Sequence, residues 1–138
     1  MLQQGESIRA VQEYEDMIRL RKFINETPIV GDSHALILAR CLSGEYTMLE
    51  LLNPAKESVG VAVYRYEKPV RKLHLIVVNA INELDNFRKP LLSWFCRLGA
   101  EKFVAVTKHN QDAMLRAVIK DLPVTTYTVL EVRLNGWG

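Results

Sequence analysis

The chain has 138 residues, 49% hydrophobic and 25% charged, a composition that suits one globular domain with its own core. A formal net charge of +2 is too small to mark a nucleic-acid surface. No apolar run approaches the roughly 20 residues that span a bilayer, and MLQQGESIR has no signal-peptide core, so a single cytoplasmic domain over 1–138 is expected.

Ser7 to Gln12 reads as a first strand, with Ile8 and Ala10 on one face. Tyr14 to Asn25 reads as a helix, because Met17, Ile18, Leu20, Phe23 and Ile24 form an apolar stripe and Glu13, Glu15 and Asp16 suit its first turn. Thr27-Pro28 and Gly31 end it. Asp32 or Ser33 caps a second helix, His34 to Leu42, which Ser43-Gly44 stops. Tyr46 to Leu52, Ser58 to Tyr66 and Lys72 to Val78 are three strands of a meander, with turns at Asn53-Pro54 and Lys68-Pro69. Gly60, inside the second of these, predicts a bulge or a close backbone approach.

The segment from Leu73 to Val118 is the most informative. LHLIVV is short and β-branched, as in a strand buried on both faces. A glycine-free connection, Asn79 to Lys89, leads to a helix from Pro90 to Leu98 with Leu91, Leu92, Phe95 and Leu98 in one stripe. Pro90 suits a first turn, and Gly99 the left-handed position after the last. Phe103 to Thr107 is a further strand, and Asn110 to Ile119 a helix that Asn110 caps. A right-handed crossover makes the two strands of this unit parallel. Val124 to Leu134 is the last strand, before a polar tail at Asn135 to Gly138. Cys41 and Cys96, in apolar helical patterns without a CxxC, read as reduced core thiols.

The run LL-SWFCRLGAEKFVAVTKHNQDA resembles the second half of the GCN5-related N-acetyltransferase family. Leu91, Leu92, Gly99, Ala100, Asn110 and Ala113 carry the likeness. The element order β-α-α-β-β-β-α-β-α-β matches that family along nearly the whole chain. The resemblance implies an α+β (mixed α/β) fold, with a twisted mixed sheet and helices on both faces.

It also implies where acetyl-CoA would lie. Backbone groups near Val77 and Val78 would pair with the pantetheine arm, and Arg88, Lys89 and Asn110 would lie by the ligand. Helix N-termini bind phosphate through free N–H groups, and glycines let the ligand approach. Here the family's glycine positions fall on Asn86 and Arg88 and its basic or amide position on Glu83, while Asp85 adds a second carboxylate. The family's tyrosine acid falls on Ala117, which cannot protonate a thiolate, and its Gly-Phe pair on Asp121 and Leu122. His74 is the one titratable side chain inside LHLIVV and a candidate base, with a simple hydrogen-bonded histidine as the alternative. Tyr127 is a second candidate, against packing.

These departures agree with one another. They point to a non-catalytic or weakly catalytic acetyltransferase-like protein, a structural or protein-interaction component that needs no cofactor and works through a protein partner, singly or as an oligomer, with Trp137 and the last strand as candidate surface. Its size, element order and lost loop are similar to those of short acetyltransferase-like virion proteins of tailed phages, which implies the host cytoplasm or the virion. The alternative is a working N-acyltransferase that uses acetyl-CoA with an unusual phosphate loop. His34, His74, His109 and the cysteines show no metal-ligand spacing. Arg19, Arg21 and Lys22 read as a solvated basic face rather than a nucleic-acid or membrane contact.

Overall fold

The stripe Met17, Leu20, Phe23 and Ile24 demands something apolar to lie against, and a β-sheet provides it. The computed structural model describes residues 5–29, 32–80, 83–106, 118–120, 122–125, 127, 132 and 134–136. Its elements are β1 (Ser7–Val11), α1 (Tyr14–Asn25), α2 (His34–Leu42), β2 (Thr47–Leu52), β3 (Ser58–Glu67), β4 (Lys72–Asn79), α3 (Arg88–Leu98) and β5 (Lys102–Ala105). Short 3-10 turns lie at Lys68–Val70 and Leu84–Phe87. The described sheet has the order β1-β2-β3-β4-β5, antiparallel from β1 through β4 and parallel between β4 and β5. The meander and the parallel pair are as the sequence implies. Val118 and Ile119 are helical, and Asn110, Ala113, Ala117 and the rest of 107–117 lie outside the described residues. So do Asp121, Trp137 and most of the expected last strand, whose described members Val124, Thr125, Tyr127, Val132 and Leu134 are exposed.

Alternation along the strands sends side chains into two cores. On one face α1 and α2 bring Leu20, Phe23, Ile24, Ile37 and Cys41 against Val11, Met48, Val61, Val63 and Val77. On the other, Leu91 and Phe95 of α3 join Leu49, Leu51, Ala62, Tyr64, Leu73, Leu75, Val78, Phe87 and Val118. Burial of this kind is the main term holding the sheet and helices together. Cys41 is buried in the first core, and that burial pushes its thiol up to about 12, so it is inert at neutral pH.

The helix ends follow local chemistry. Of the two candidate caps for α2, Ser33 does the work: its Oγ accepts the Leu36 N–H at 3.1 Å. Ser33→Ala removes that acceptor, and thermal denaturation should register a loss of about 1 kcal/mol. Gly99 ends α3 at φ +95°, with its N–H on the Cys96 carbonyl and the Ala100 N–H on that of Phe95.

Several expectations need correcting. Helix α3 starts at Arg88, because the 3-10 turn at Leu84–Phe87 feeds directly into it, and Pro90 is its third residue. Leu98 is 36% exposed and Cys96 is exposed, so neither belongs to the core. The buried stripe of α3 is only Leu91 and Phe95, and Cys96 sits one residue, or 100°, round from it. The first strand ends at Val11 and Gln12 is exposed, while β5 ends at Ala105.

Candidate functional site

The local feature that shapes the candidate site is a bulge in β4. Tyr64 pairs with Leu75 and Val63 with Val77, so Ile76 is an extra residue with no opposite number. Such an insertion bends a strand and reverses its alternation. Before the bulge, Leu73 and Leu75 face the α3 core. After it, Val77 joins the α1/α2 core and Val78 the α3 core. The uninterrupted apolar run Leu75 to Val78 hides this switch.

Pairing between β4 and β5 stops where the bulge begins. Its last partners are Leu75 and Ala105, whereas β4 runs on to Asn79 beside β3 alone among the described strands. Alternate residues of that free stretch, which includes Val77 and Val78, turn backbone groups away from β3. The stretch is fixed by Asn79, which is buried and donates from Nδ2 to the Phe23 carbonyl at 3.0 Å. That carbonyl also accepts from Thr27 Oγ1 at 2.8 Å. The end of β4 is thereby tied to the last turn of α1.

The chain leaves β4 directly over Gly60. A Cβ built on Gly60 would lie 2.6 Å from the Ala80 Cα and would overlap the Asn79 carbonyl oxygen. The close approach that a strand glycine predicts is therefore real. A register shift at Leu51/Leu52, with Leu51 on Gly60 and Leu52 on Ser58, adds the bulge.

Beyond Ala80 the connection turns at Glu83 and enters α3. The Glu83 N–H donates to the Ala80 carbonyl at 2.6 Å and the Asn86 N–H to the Glu83 carbonyl at 3.0 Å. Arg88, first residue of α3, gives its backbone N–H to the Asp85 carbonyl. Its guanidinium donates from Nε to the Val118 carbonyl at 3.1 Å and from a terminal nitrogen to the Lys120 carbonyl. Pro90 has no N–H. Arg88 thus spends its donors within the protein, and Lys89 is the exposed cation there.

Val77 and Val78 lie near the end of β4, and Arg88 and Lys89 are the first two residues of α3. His74 lies on the half of β4 that pairs with β5, opposite Val104, and its Nε2 donates to Glu67 Oε1 at 2.9 Å. That hydrogen bond holds the Glu67 carboxyl below the ordinary carboxylate range. Tyr127 is 76% exposed, and Asn110 lies outside the described residues.

A second polar cluster escaped the sequence reading. Glu50, in the middle of β2, is 2% exposed. Arg9 of β1 donates from Nε to its Oε1 at 2.9 Å, and Arg19 of α1 donates to Oε2 at 3.0 Å. Ser58 donates its hydroxyl to Oε2, and Asp16 receives Arg19 at 3.0 Å. Burial alone would raise the Glu50 carboxyl, but the bonds from Ser58, Arg9 and Arg19 outweigh it and hold the group low. Arg19 is therefore not the plain solvated cation expected, and Lys22 lies over the Phe23 ring at 5.1 Å. The readable signal was one carboxylate inside the apolar run TMLELL. Among the described residues no group of three or more His, Cys, Asp or Glu is placed to hold a metal, and no helix is long and apolar enough to cross a membrane.

No protein-family model matches the chain, and no curated protein matches it. Solved structures do. A ribosomal-protein-alanine N-acetyltransferase from Brucella melitensis biovar Abortus 2308 superposes with a TM-score of 0.67 at 8% identity, over 94% of this chain and 99% of that one. AAC(6')-Iy, in complex with the bisubstrate analog CoA-S-monomethyl-acetylneamine, gives 0.62 at 11% identity, over 93% and 97%. A Trypanosoma brucei acetyltransferase gives 0.56 at 14% identity, over 92% and 99%. Likeness at such identities concerns the fold: this chain has the mixed α+β fold of the GCN5-related N-acetyltransferases.

Proposed function

We propose that the protein is a non-catalytic relative of the acetyltransferases that works by binding another protein. The observation that carries this reading is the engagement of Arg88, at the start of α3, with acceptors inside the protein. A pyrophosphate needs free N–H donors and positive charge at a helix N-terminus. Here the Arg88 N–H serves Asp85, Pro90 offers none, and the Arg88 side chain serves the carbonyls of Val118 and Lys120. Glu83 and Asp85 add negative charge beside it. Similarity in size and element order to short phage virion proteins of this fold favours a component of a protein assembly, in the virion or the host cytoplasm.

Calorimetric titration with acetyl-CoA and with CoA tests the reading. The expected result is no saturable heat up to about 1 mM ligand. A dissociation constant below about 100 μM, worth roughly 5 to 6 kcal/mol, would overturn it. The second reading, an acyl-CoA-dependent N-acyltransferase, is favoured by one observation, the Ile76 bulge and the free stretch of β4 behind it. In that case Val77 and Val78 would pair with the pantetheine arm and Arg88, Lys89 and Asn110 would meet the ligand, with His74 or Tyr127 available for proton transfer. Arg88→Ala would then weaken the measured binding, whereas under the first reading it lowers only thermal stability.

A further inference from the structure

Among the described residues, α1 and α2 cover only part of their face of the sheet. The core beneath those helices takes Val61 and Val63 from β3 and Val77 from β4, with Ile76 packed at its border, and nothing from β3 after Val63 or from β4 before Ile76. Alternation identifies what lies on the rest of that face, where Arg65, Glu67, Lys72 and His74 are half-buried and Lys102 is exposed. Tyr64 and Tyr66 of β3, Leu73 and Leu75 of β4 and Phe103 of β5 all face α3. Arg65, Glu67, Lys72, His74 and Lys102 therefore share the opposite face. They are neighbours across the strands: Arg65 is opposite His74, Glu67 opposite Lys72, and Lys72 opposite Lys102.

Among the described residues this corner carries more cations than carboxylates. Glu67 is its one carboxylate, drawn down by His74 first and by Arg65 and Lys72 at longer range. Among the described residues Arg65, Lys72 and Lys102 make no ion pair. Lys72 and Lys102 face each other on adjacent strands, an arrangement that weakens a sheet. The neighbouring turn adds Lys68, which is exposed, and Arg71, which is engaged with Glu101.

We propose that this corner, Arg65, Lys72 and Lys102 around the His74–Glu67 pair, is a docking surface for an acidic polypeptide segment. Charge complementarity selects the partner's sign. The chemistry of the face selects its class: single strands of nucleic acid are held by stacking on aromatic rings, and the aromatic residues of this end, Tyr64, Tyr66 and Phe103, all point the other way. A carboxylate partner would relieve the repulsion between Lys72 and Lys102. The surface is separate from the free stretch of β4, so it does not depend on whether acyl-CoA binds.

The test is fluorescence anisotropy with a labelled glutamate-rich peptide and, separately, a labelled oligothymidylate, at low and at moderate salt. The full-length protein should bind the peptide saturably at low salt, and more weakly as salt screens exposed charges. Lys72→Gln/Lys102→Gln should weaken that binding about fivefold, the size expected for two exposed charge contacts. Lys56→Gln/Lys120→Gln, which removes equal charge elsewhere, should leave it unchanged. Equal loss in both variants, or no saturable binding, would overturn the proposal. Tighter binding of the oligothymidylate, lost in Lys72→Gln/Lys102→Gln, would overturn it in favour of a nucleic-acid surface.

Discussion

Gly60→Ala should be among the most damaging single-methyl additions in this protein. The added Cβ would meet backbone atoms, the Asn79 carbonyl and the Ala80 Cα, and not the end of a side chain that could rotate away. Relief requires β3 and β4 to part or the exit from β4 to move. Overpacking of a core costs about 1 to 3 kcal/mol, and backbone-on-backbone overlap belongs at or above the top of that range. Urea denaturation should show a loss of about 3 kcal/mol or more. The same shift would pull Asn79 from the Phe23 carbonyl, so the variant should also lose amide-exchange protection around Phe23 and Thr27. A stability within about 0.5 kcal/mol of the parent would show that the chain does not cross Gly60 as described.

Gly60 also shows how far the sequence can be read. A glycine in an otherwise β-branched strand announces a close approach, but not by what. Local signals of this kind were legible throughout: the stripe of α1, the Ser33 cap, the Gly99 stop, and the turns at Asn53 and Lys68. Each depends on residues within one or two turns of chain. Boundaries drifted where a second element merged with the first, as when the Leu84–Phe87 turn moved the start of α3 back to Arg88. Cys96 was misplaced because a helix stripe of only two buried residues, Leu91 and Phe95, is narrower than the letters suggest.

The candidate site was legible in position more than in geometry. Counting along the chain puts Val77 and Val78 near the end of β4 and Arg88 and Lys89 near the start of α3, and both placements within those elements hold. The Ile76 bulge was not legible, because it falls in the unbroken apolar run Leu75 to Val78, which gives no alternation from which to see a slip. Nor was the partner of Arg88, whose carbonyl acceptors lie 30 and 32 residues downstream. The Glu50 cluster joins β1, α1, β2 and β3, and no spacing rule connects Arg9, Arg19, Glu50 and Ser58.

That cluster supports the other large expected effect. Arg9→Met/Arg19→Met leaves the Glu50 carboxylate buried with Ser58 as its remaining donor of the three. Stripping the cations from a buried carboxylate costs about 3 kcal/mol or more near pH 7. Adding Glu50→Leu to the pair should recover much of it, because an apolar residue needs no partner there. The pH dependence distinguishes this from simple loss of packing. In the parent the folded Glu50 carboxyl titrates below its unfolded value of about 4.3, so its contribution is full above that pH and is lost as pH falls through the folded value. In the Arg9→Met/Arg19→Met variant burial is opposed by the Ser58 hydrogen bond alone and, as the larger influence, raises the carboxyl, so the folded state takes up a proton more readily than the unfolded one. Its deficit should shrink as pH falls from 7 towards 4, and the two stability curves should converge. A deficit that stays constant across that range would mean that Arg9 and Arg19 act by packing, and that the charge of Glu50 has no part in holding β1 and α1 to the sheet.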